Sequence, residues 1–164
     1  MIEQKAGYSV WNGMMGRCYR PTTKAAQRNY EDVTVCKEWH TFENFQKWFI
    51  EHHKEGYELD KDLFIPHNKE YSPDKCFFVP NTLNVLIQPM AKGYSKKRNK
   101  YVARVKRGNK NYNLGTFDTA EEAREEYLKN KDIVIKLELP QYKGKVPDLL
   151  YHTLHARYVL YELT

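Results

Sequence analysis

Asp60 and Asp62 stand two residues apart in the stretch YELDKDLF, a spacing that puts both carboxylates on one face of a strand. Paired oxygens of this kind hold a hard divalent cation such as magnesium or manganese. A cation held there polarises a phosphoryl oxygen, and hydrolysis then needs a base for the attacking water. His67 follows in the turn-rich IPHNKEYSPDK, while His52 and His53 precede on a helical stretch, so the base comes from one of these only if folding brings it to the carboxylates. A strand-end or turn role fits Asp60 and Asp62 equally well, and a surface position fits each histidine.

Zinc chemistry would need a tetrahedral set gathered from Cys18, Cys36, Cys76 and His40, with Cys36 and His40 at C-x3-H spacing. Without a CxxC pair no zinc is expected. Three widely spaced cysteines also argue against a secreted disulfide framework and read as buried free thiols. The chain has no run of about 18 apolar residues, and its start, MIEQKAGYSVW, has neither the basic nor the apolar part of a secretory signal. No membrane association and a cytoplasmic location are the expectation.

At 164 residues, 41% hydrophobic and 29% charged, the chain is long enough for one ordinary or two small packed domains. Its net charge of +6 is unevenly placed. Residues 92–113 hold nine cations and no acid, so +6 less these 9 leaves the remainder at −3. A mildly acidic body with a concentrated basic patch is the electrostatic footprint of a polyanion binder.

The elements that must position these groups are legible from periodicity. In CKEWHTFENFQKWFIEHH, Trp39, Phe42, Phe45, Trp48 and Phe49 recur at helical spacing, and Thr41 suits the helix start. Tyr57, Leu59, Leu63 and Phe64 suggest a strand, CFFVP a second strand, and NTLNVLI a short helix begun at Pro80 or Asn81. Pro89 and Gly93 mark a boundary. In KYVARVK, Tyr101, Ala103 and Val105 alternate with Lys100, Val102, Arg104 and Lys106, which gives one packed and one open face. NYNLGTF continues the packed face with Tyr112 and Leu114 and the open face with Asn111 and Asn113; GYSKK adds a third strand. Thr119 and Glu122 form a capping box for a helix that lays Ala120, Ala123 and Tyr127 on the sheet. After a Pro/Gly break, Leu149, Leu150, Leu154, Tyr158 and Tyr161 predict a tail helix that needs a surface, either its own body or another subunit.

Residues 93–128, through KYVARV, NLGTFDTAEEA and Tyr127, resemble the DNA-binding domain of the APETALA/ethylene-response-factor family. The resemblance implies a three-stranded sheet lying in the DNA major groove. By position it assigns the contacts to Lys100, Arg104, Lys106, Asn111 and Asn113, with Arg98 and Arg107 at the edges; Asn113 stands where that family carries a tryptophan. The chemistry is apt, since Arg pairs with guanine, Asn with adenine, and Lys neutralises phosphate.

The preceding phrases MMGRCYR, NYEDVTVCKEW, FENFQKWF, LDKDLF and YSPDKCFFVPNTLN resemble small phage proteins of the HNH homing-endonuclease type. That family implies a one-metal nuclease on a ββα module. Its two histidine positions fall on Tyr57 and Glu58, so the site is degenerate: Glu58 and Asn84 are left as metal ligands, and Asp60, Asp62 and His67 as the catalytic candidates.

The expected fold is α+β: a degenerate HNH-like ββα module over residues 1–90, a three-stranded sheet plus one helix over 91–139, and a helical tail over 140–164. The resemblance implies double-stranded DNA binding in an infected bacterial host, with magnesium- or manganese-dependent nicking or cleavage a family expectation. The alternative is a non-catalytic DNA-binding or inhibitory protein acting on a host or phage partner, or self-associating through the tail. Structured RNA binding is a third reading, disfavoured because Tyr101 and Tyr112 fall on the packed face.

Overall fold

In the computed structural model, which describes residues 2–88 and 92–159, the chain mixes helix and sheet in an α+β fold and divides into two compact units, residues 1–81 and 82–164. The first holds α1 (Ile2–Tyr19), α2 (Lys24–Asn29), β1 (Thr34–Val35), α3 (Phe42–His52), β2 (Tyr57–Asp60), β3 (Glu70–Tyr71) and β4 (Phe77–Pro80). The stretch read as one helix from CKEW splits in two. A 3-10 turn, Lys37–His40, precedes α3, with Thr41 as the N-cap residue. Phe45, Trp48 and Phe49 of α3 are buried at i, i+3 and i+4, the face the periodicity marked.

These rings build the core of the first unit. Trp39 meets Phe45 edge-on at 5.0 Å and Trp48 at 4.7 Å, while Trp48 stacks on Phe78 at 5.5 Å. Met14, Val33, Val35, Tyr71 and Cys76 complete the cluster. Burying aromatic rings in offset and edge contacts adds about 0.5–1.5 kcal/mol per pair beyond area burial.

Two ribbons frame this core. β2 and β4 pair antiparallel, Tyr57 opposite Pro80 and Asp60 opposite Phe77. The segment between them is not a simple loop: β3 pairs parallel with β1, a non-local contact that no local pattern announces. β2 also ends at Asp60, short of the strand expected through Phe64; Leu63 is nonetheless buried, from a bent segment.

Helix α4 (Asn81–Ile87) begins at the junction, and from Thr82 it belongs to the second unit. That unit continues with β5 (Tyr94–Lys97), β6 (Lys100–Arg107), β7 (Lys110–Phe117), α5 (Ala120–Glu138), a 3-10 turn Leu139–Tyr142 and α6 (Asp148–Tyr158). The strands form an antiparallel sheet in the order β5-β6-β7. α5 covers one side of it: Ala103 and Ala123 are fully buried, and Val105, Tyr127 and Val134 form a cluster joined by Leu86 and Leu114. The capping box is present in both directions, with Thr119 Oγ1 accepting from the Glu122 amide and the Glu122 carboxylate from the Thr119 amide, each at 3.2 Å.

The tail packs on its own unit. Leu150 and Leu154 are fully buried, and so is most of Tyr151, whereas Leu149 is 61% exposed. The expected stripe is thus rotated by one residue pair, because Leu150, Tyr151 and Leu154 share a helix face that Leu149 lies outside. Tyr161, expected on the same helix, lies outside the described residues, as does Pro89. Among the described residues no helix is long and apolar enough to cross a membrane.

Candidate nucleic-acid interface

The open side of the β5-β6-β7 sheet is set by pairing. Arg104 lies opposite Asn113 and Lys106 opposite Asn111, all four exposed, and on an antiparallel pair directly opposite residues share a face. On the other side of β6, Lys97 and Ser95 pair with Lys100 and Val102, so Lys97 joins the same face. Sequence alternation alone missed Lys97, because the short stretch GYSKK has no packed residue strong enough to fix its phase.

A β-bulge keeps both faces consistent. Ala103 pairs with Gly115 and Arg104 with Asn113, leaving Leu114 as the extra residue. Leu114 then joins the core beside Val105, and Phe117, three residues on, returns to the helix side opposite Tyr101. In a regular strand residues three apart point to opposite faces. Gly115 supplies the bend with φ 136, a value that side chains with a Cβ rarely adopt.

The remaining assigned contacts have other roles in the free protein. Arg107 lies on the helix side, where its Nε donates to Glu138 Oε1 at 2.7 Å; the odd-numbered phase of β6 takes it away from the face with Arg104. Lys100 is ion-paired with Asp118 across an exposed surface. Arg98 occupies the β5–β6 turn at φ 55. Val102, expected on the open face, is only 6% exposed, since a β-branched residue on the central strand is shielded by strands on both sides. Tyr112 shares the helix side with Val105 yet is 46% exposed, because an edge strand is covered from one direction only.

The nuclease candidates take separate roles within their own units. Asp60 is buried, and its Oδ1 accepts from the Asp62 amide at 2.8 Å and the Leu63 amide at 2.7 Å, closing the turn that ends β2. Asp62 therefore lies past the strand and not on one strand face with Asp60. Its carboxylate takes Lys61 Nζ at 2.7 Å, and the same ammonium donates to the Asn68 carbonyl at 2.8 Å. Burial pushes the Asp60 carboxyl above its ordinary range, opposed by the two amide bonds.

Glu58 is exposed and accepts from Asn81 Nδ2 at 3.0 Å. Asn84 stands on α4 in the other unit, where its Oδ1 accepts from Gln88 Nε2 at 2.6 Å. His67 is exposed at φ 60 in the turn closed by the Asn68 amide on the Ile65 carbonyl, with Pro66 before it. The other histidines are held by rings: His52 stacks on Trp48 at 4.6 Å and donates from Nδ1 to the Trp48 carbonyl at 2.8 Å, and His53 stacks on Phe49 at 4.3 Å.

Among the described residues no three His, Cys, Asp or Glu side chains come together as a metal set. The thiols pack on the aromatic core instead, and burial pushes Cys76 up to about 12. His40 contacts the Val35 carbonyl at 3.1 Å and the Tyr19 hydroxyl at 3.2 Å. Set against protein families, curated proteins and solved structures, the chain matches none of them.

Proposed function

We propose that the protein binds double-stranded DNA through the open face of β5-β6-β7, in the manner of the phage homing-endonuclease and APETALA/ethylene-response-factor proteins it resembles. One observation carries this: Arg104, Lys106, Asn111 and Asn113 are exposed in register on one side of a sheet whose other side is sealed by α5. Three strands spaced about 4.8 Å apart make a ribbon about 10 Å across, which fits a major groove about 12 Å wide. Arg104 and its neighbour Asn113 are the base readers, bidentate to guanine and adenine respectively. Lys97, Lys106 and Lys100 contact phosphate. The Lys100–Asp118 pair is no obstacle, since exposed ion pairs contribute only about 0–1 kcal/mol.

For the first unit, the β2–β4 ribbon leading into α4 supports an HNH-like origin, with magnesium or manganese as the ion such a site would use. The bonds of Asp60 to two backbone amides favour a non-catalytic role over metal-dependent cleavage, because one of its two carboxylate oxygens, Oδ1, already closes a buried turn. Gel retardation of short duplexes, run beside supercoiled plasmid with magnesium or manganese, tests both parts. The expected result is retardation without nicking. Nicking that disappears in Asp62→Ala would restore the endonuclease reading, and no retardation in dilute buffer would remove DNA binding altogether.

A further inference from the structure

Arg17, near the end of α1, is a half-buried guanidinium without a carboxylate partner among the described residues. Its Nη2 donates to the Tyr71 hydroxyl at 3.4 Å, and its Cζ lies 5.7 Å from the Tyr30 ring centre and 5.9 Å from that of Tyr71. The ionisable groups that act on it are Tyr71, Tyr30 and Cys18, and burial pushes the Tyr71 phenol and the Cys18 thiol up. Its Nε is buried and has no hydrogen-bond partner among the described residues. A cation taken out of water with neither counter-charge nor full hydrogen bonding is costly to hold.

A second cation stands by the same ring. Lys61 Nζ lies 5.9 Å from the centre of Tyr71, and Lys61 is 8% exposed. Asp62 balances Lys61, so the unmatched charge of the cluster is that of Arg17. The Tyr71 hydroxyl accepts from Arg17, which leaves its own proton free for an acceptor. Burial keeps that phenol protonated far above neutral pH, so it stays a donor.

The backbone beside Arg17 leaves room. Gly13 lies one turn earlier on the same face of α1, and a Cβ there would touch only Arg17 Nη1, at 3.6 Å; a Cβ on Gly16 would meet open space. Neither glycine is needed for close helix packing, although each costs a helix interior about 0.5–1 kcal/mol relative to Ala. Bare backbone at Gly13, beside the fork of N–H donors, leaves room there for a ligand.

We propose that Arg17 and the Tyr71 hydroxyl form an anion site in the first unit that takes a phosphoryl oxyanion. The guanidinium fork presents parallel N–H donors that match two oxygens of a phosphate. The site depends on nothing in the β5-β6-β7 sheet. Its occupant is either a phosphate of a nucleic-acid backbone or a free phosphate group, and the two are separable by experiment.

The test is titration of the full chain with inorganic phosphate at fixed ionic strength, with chloride as the exchanged ion. Ring NMR signals of Tyr71 and Tyr30 and the melting temperature are followed together. Saturable movement of both ring signals with a rise in melting temperature is expected. Arg17→Lys keeps the charge but loses the fork, and weakens the saturation about tenfold; Arg17→Gln abolishes it. Should Arg17→Gln fail to fold, the wild-type titration and Arg17→Lys decide the matter.

Rings that do not respond to phosphate, or that respond equally in wild type and Arg17→Lys, overturn the site and leave Arg17 as a structural clamp on two tyrosines. Given a positive titration, duplex binding identifies the source. A loss of about one unit of salt slope in the charge-removing Arg17→Gln marks a DNA phosphate, whereas unchanged duplex affinity marks a free phosphate group. If the sheet binds no DNA at all, the phosphate titration still stands or falls alone.

Discussion

The two units use the same kinds of charged residue in opposite ways. In the first, Asp60 and Lys61 turn inward, and with Asp62 they hold one another or the backbone across a single turn. In the second, Arg104, Lys106 and Lys97 project from one side of a sheet without an ion pair among the described residues. Charge engaged internally is withdrawn from ligands; charge left in water is cheap to hold and ready to exchange its counterions for phosphate. The contrast explains how a chain with nuclease-like phrases can carry an exposed basic sheet face and no assembled metal set among its described residues.

The largest test of that contrast is salt. With about four phosphates neutralised, the slope of log K against log salt is about −3.6, so duplex affinity falls about two orders of magnitude between 50 and 200 mM salt. Within that frame Arg104→Ala costs about 1–3 kcal/mol on a preferred site and flattens discrimination among sequences. Lys106→Ala weakens all duplexes alike. Fluorescence anisotropy on a small set of duplexes distinguishes the two, and equal, sequence-independent losses would show that the face grips phosphate without reading bases.

Next in size is the support beneath that face. Gly93 has φ 74, and a Cβ there would run into the Tyr127 ring of α5. Gly93→Ala therefore combines a left-handed backbone cost with overpacking, about 2–4 kcal/mol together. Urea unfolding followed by hydrogen exchange would show the loss in β5, β6 and α5, with the aromatic core around Trp39 unaffected. Equal destabilisation of both units would mean that their folding is coupled.

The opposite unit is probed at Asp60. Asp60→Ala removes the acceptor for two amides and costs about 1–3 kcal/mol. Asp60→Asn keeps an acceptor oxygen and removes a buried charge. Because burial, partly offset by the amide bonds, raises the folded-state value of this carboxyl, the wild type is most favoured with Asp60 protonated, and that contribution is lost as pH rises through the folded value. Asp60→Asn is therefore expected to match or exceed wild-type stability at neutral pH and to lose the advantage on acidification below the ordinary carboxylate range. Thermal melts across that window check the sign. A severe loss in Asp60→Asn at neutral pH would show that the charge itself has a partner.

What could be read in advance follows from how local each determinant is. The phase of Tyr101, Ala103 and Val105, the aromatic stripe of α3 and the Thr119–Glu122 box lie within a few residues of one another, and each produced the element its pattern predicted. The bulge at Leu114 was hidden because its cause lies across the sheet, in returning Phe117 to the side of Tyr101. The β1–β3 pair joins residues 36 apart and is set by the core, not by either dipeptide. The site suffered most: two aspartates at i and i+2 predict a shared face only while the strand continues, and the side chain of Asp60 is itself what ends it.

The smallest expected effect lies at the edge of the open basic face, where the two uses of charge meet. Lys100 belongs to the open side of β6 but is paired with Asp118 in the free protein, both side chains largely exposed. Asp118→Asn releases Lys100 and removes a negative charge from the rim. The folded state should change by no more than the about 0–1 kcal/mol of an exposed pair. Duplex affinity should rise a few-fold, more at low salt than at high, because the gain is one further lysine free to displace counterions. A double variant, Asp118→Asn with Lys100→Ala, should cancel most of the increase. If the increase survives without Lys100, Asp118 acts by repelling the duplex directly, and Lys100 is no part of the contact set.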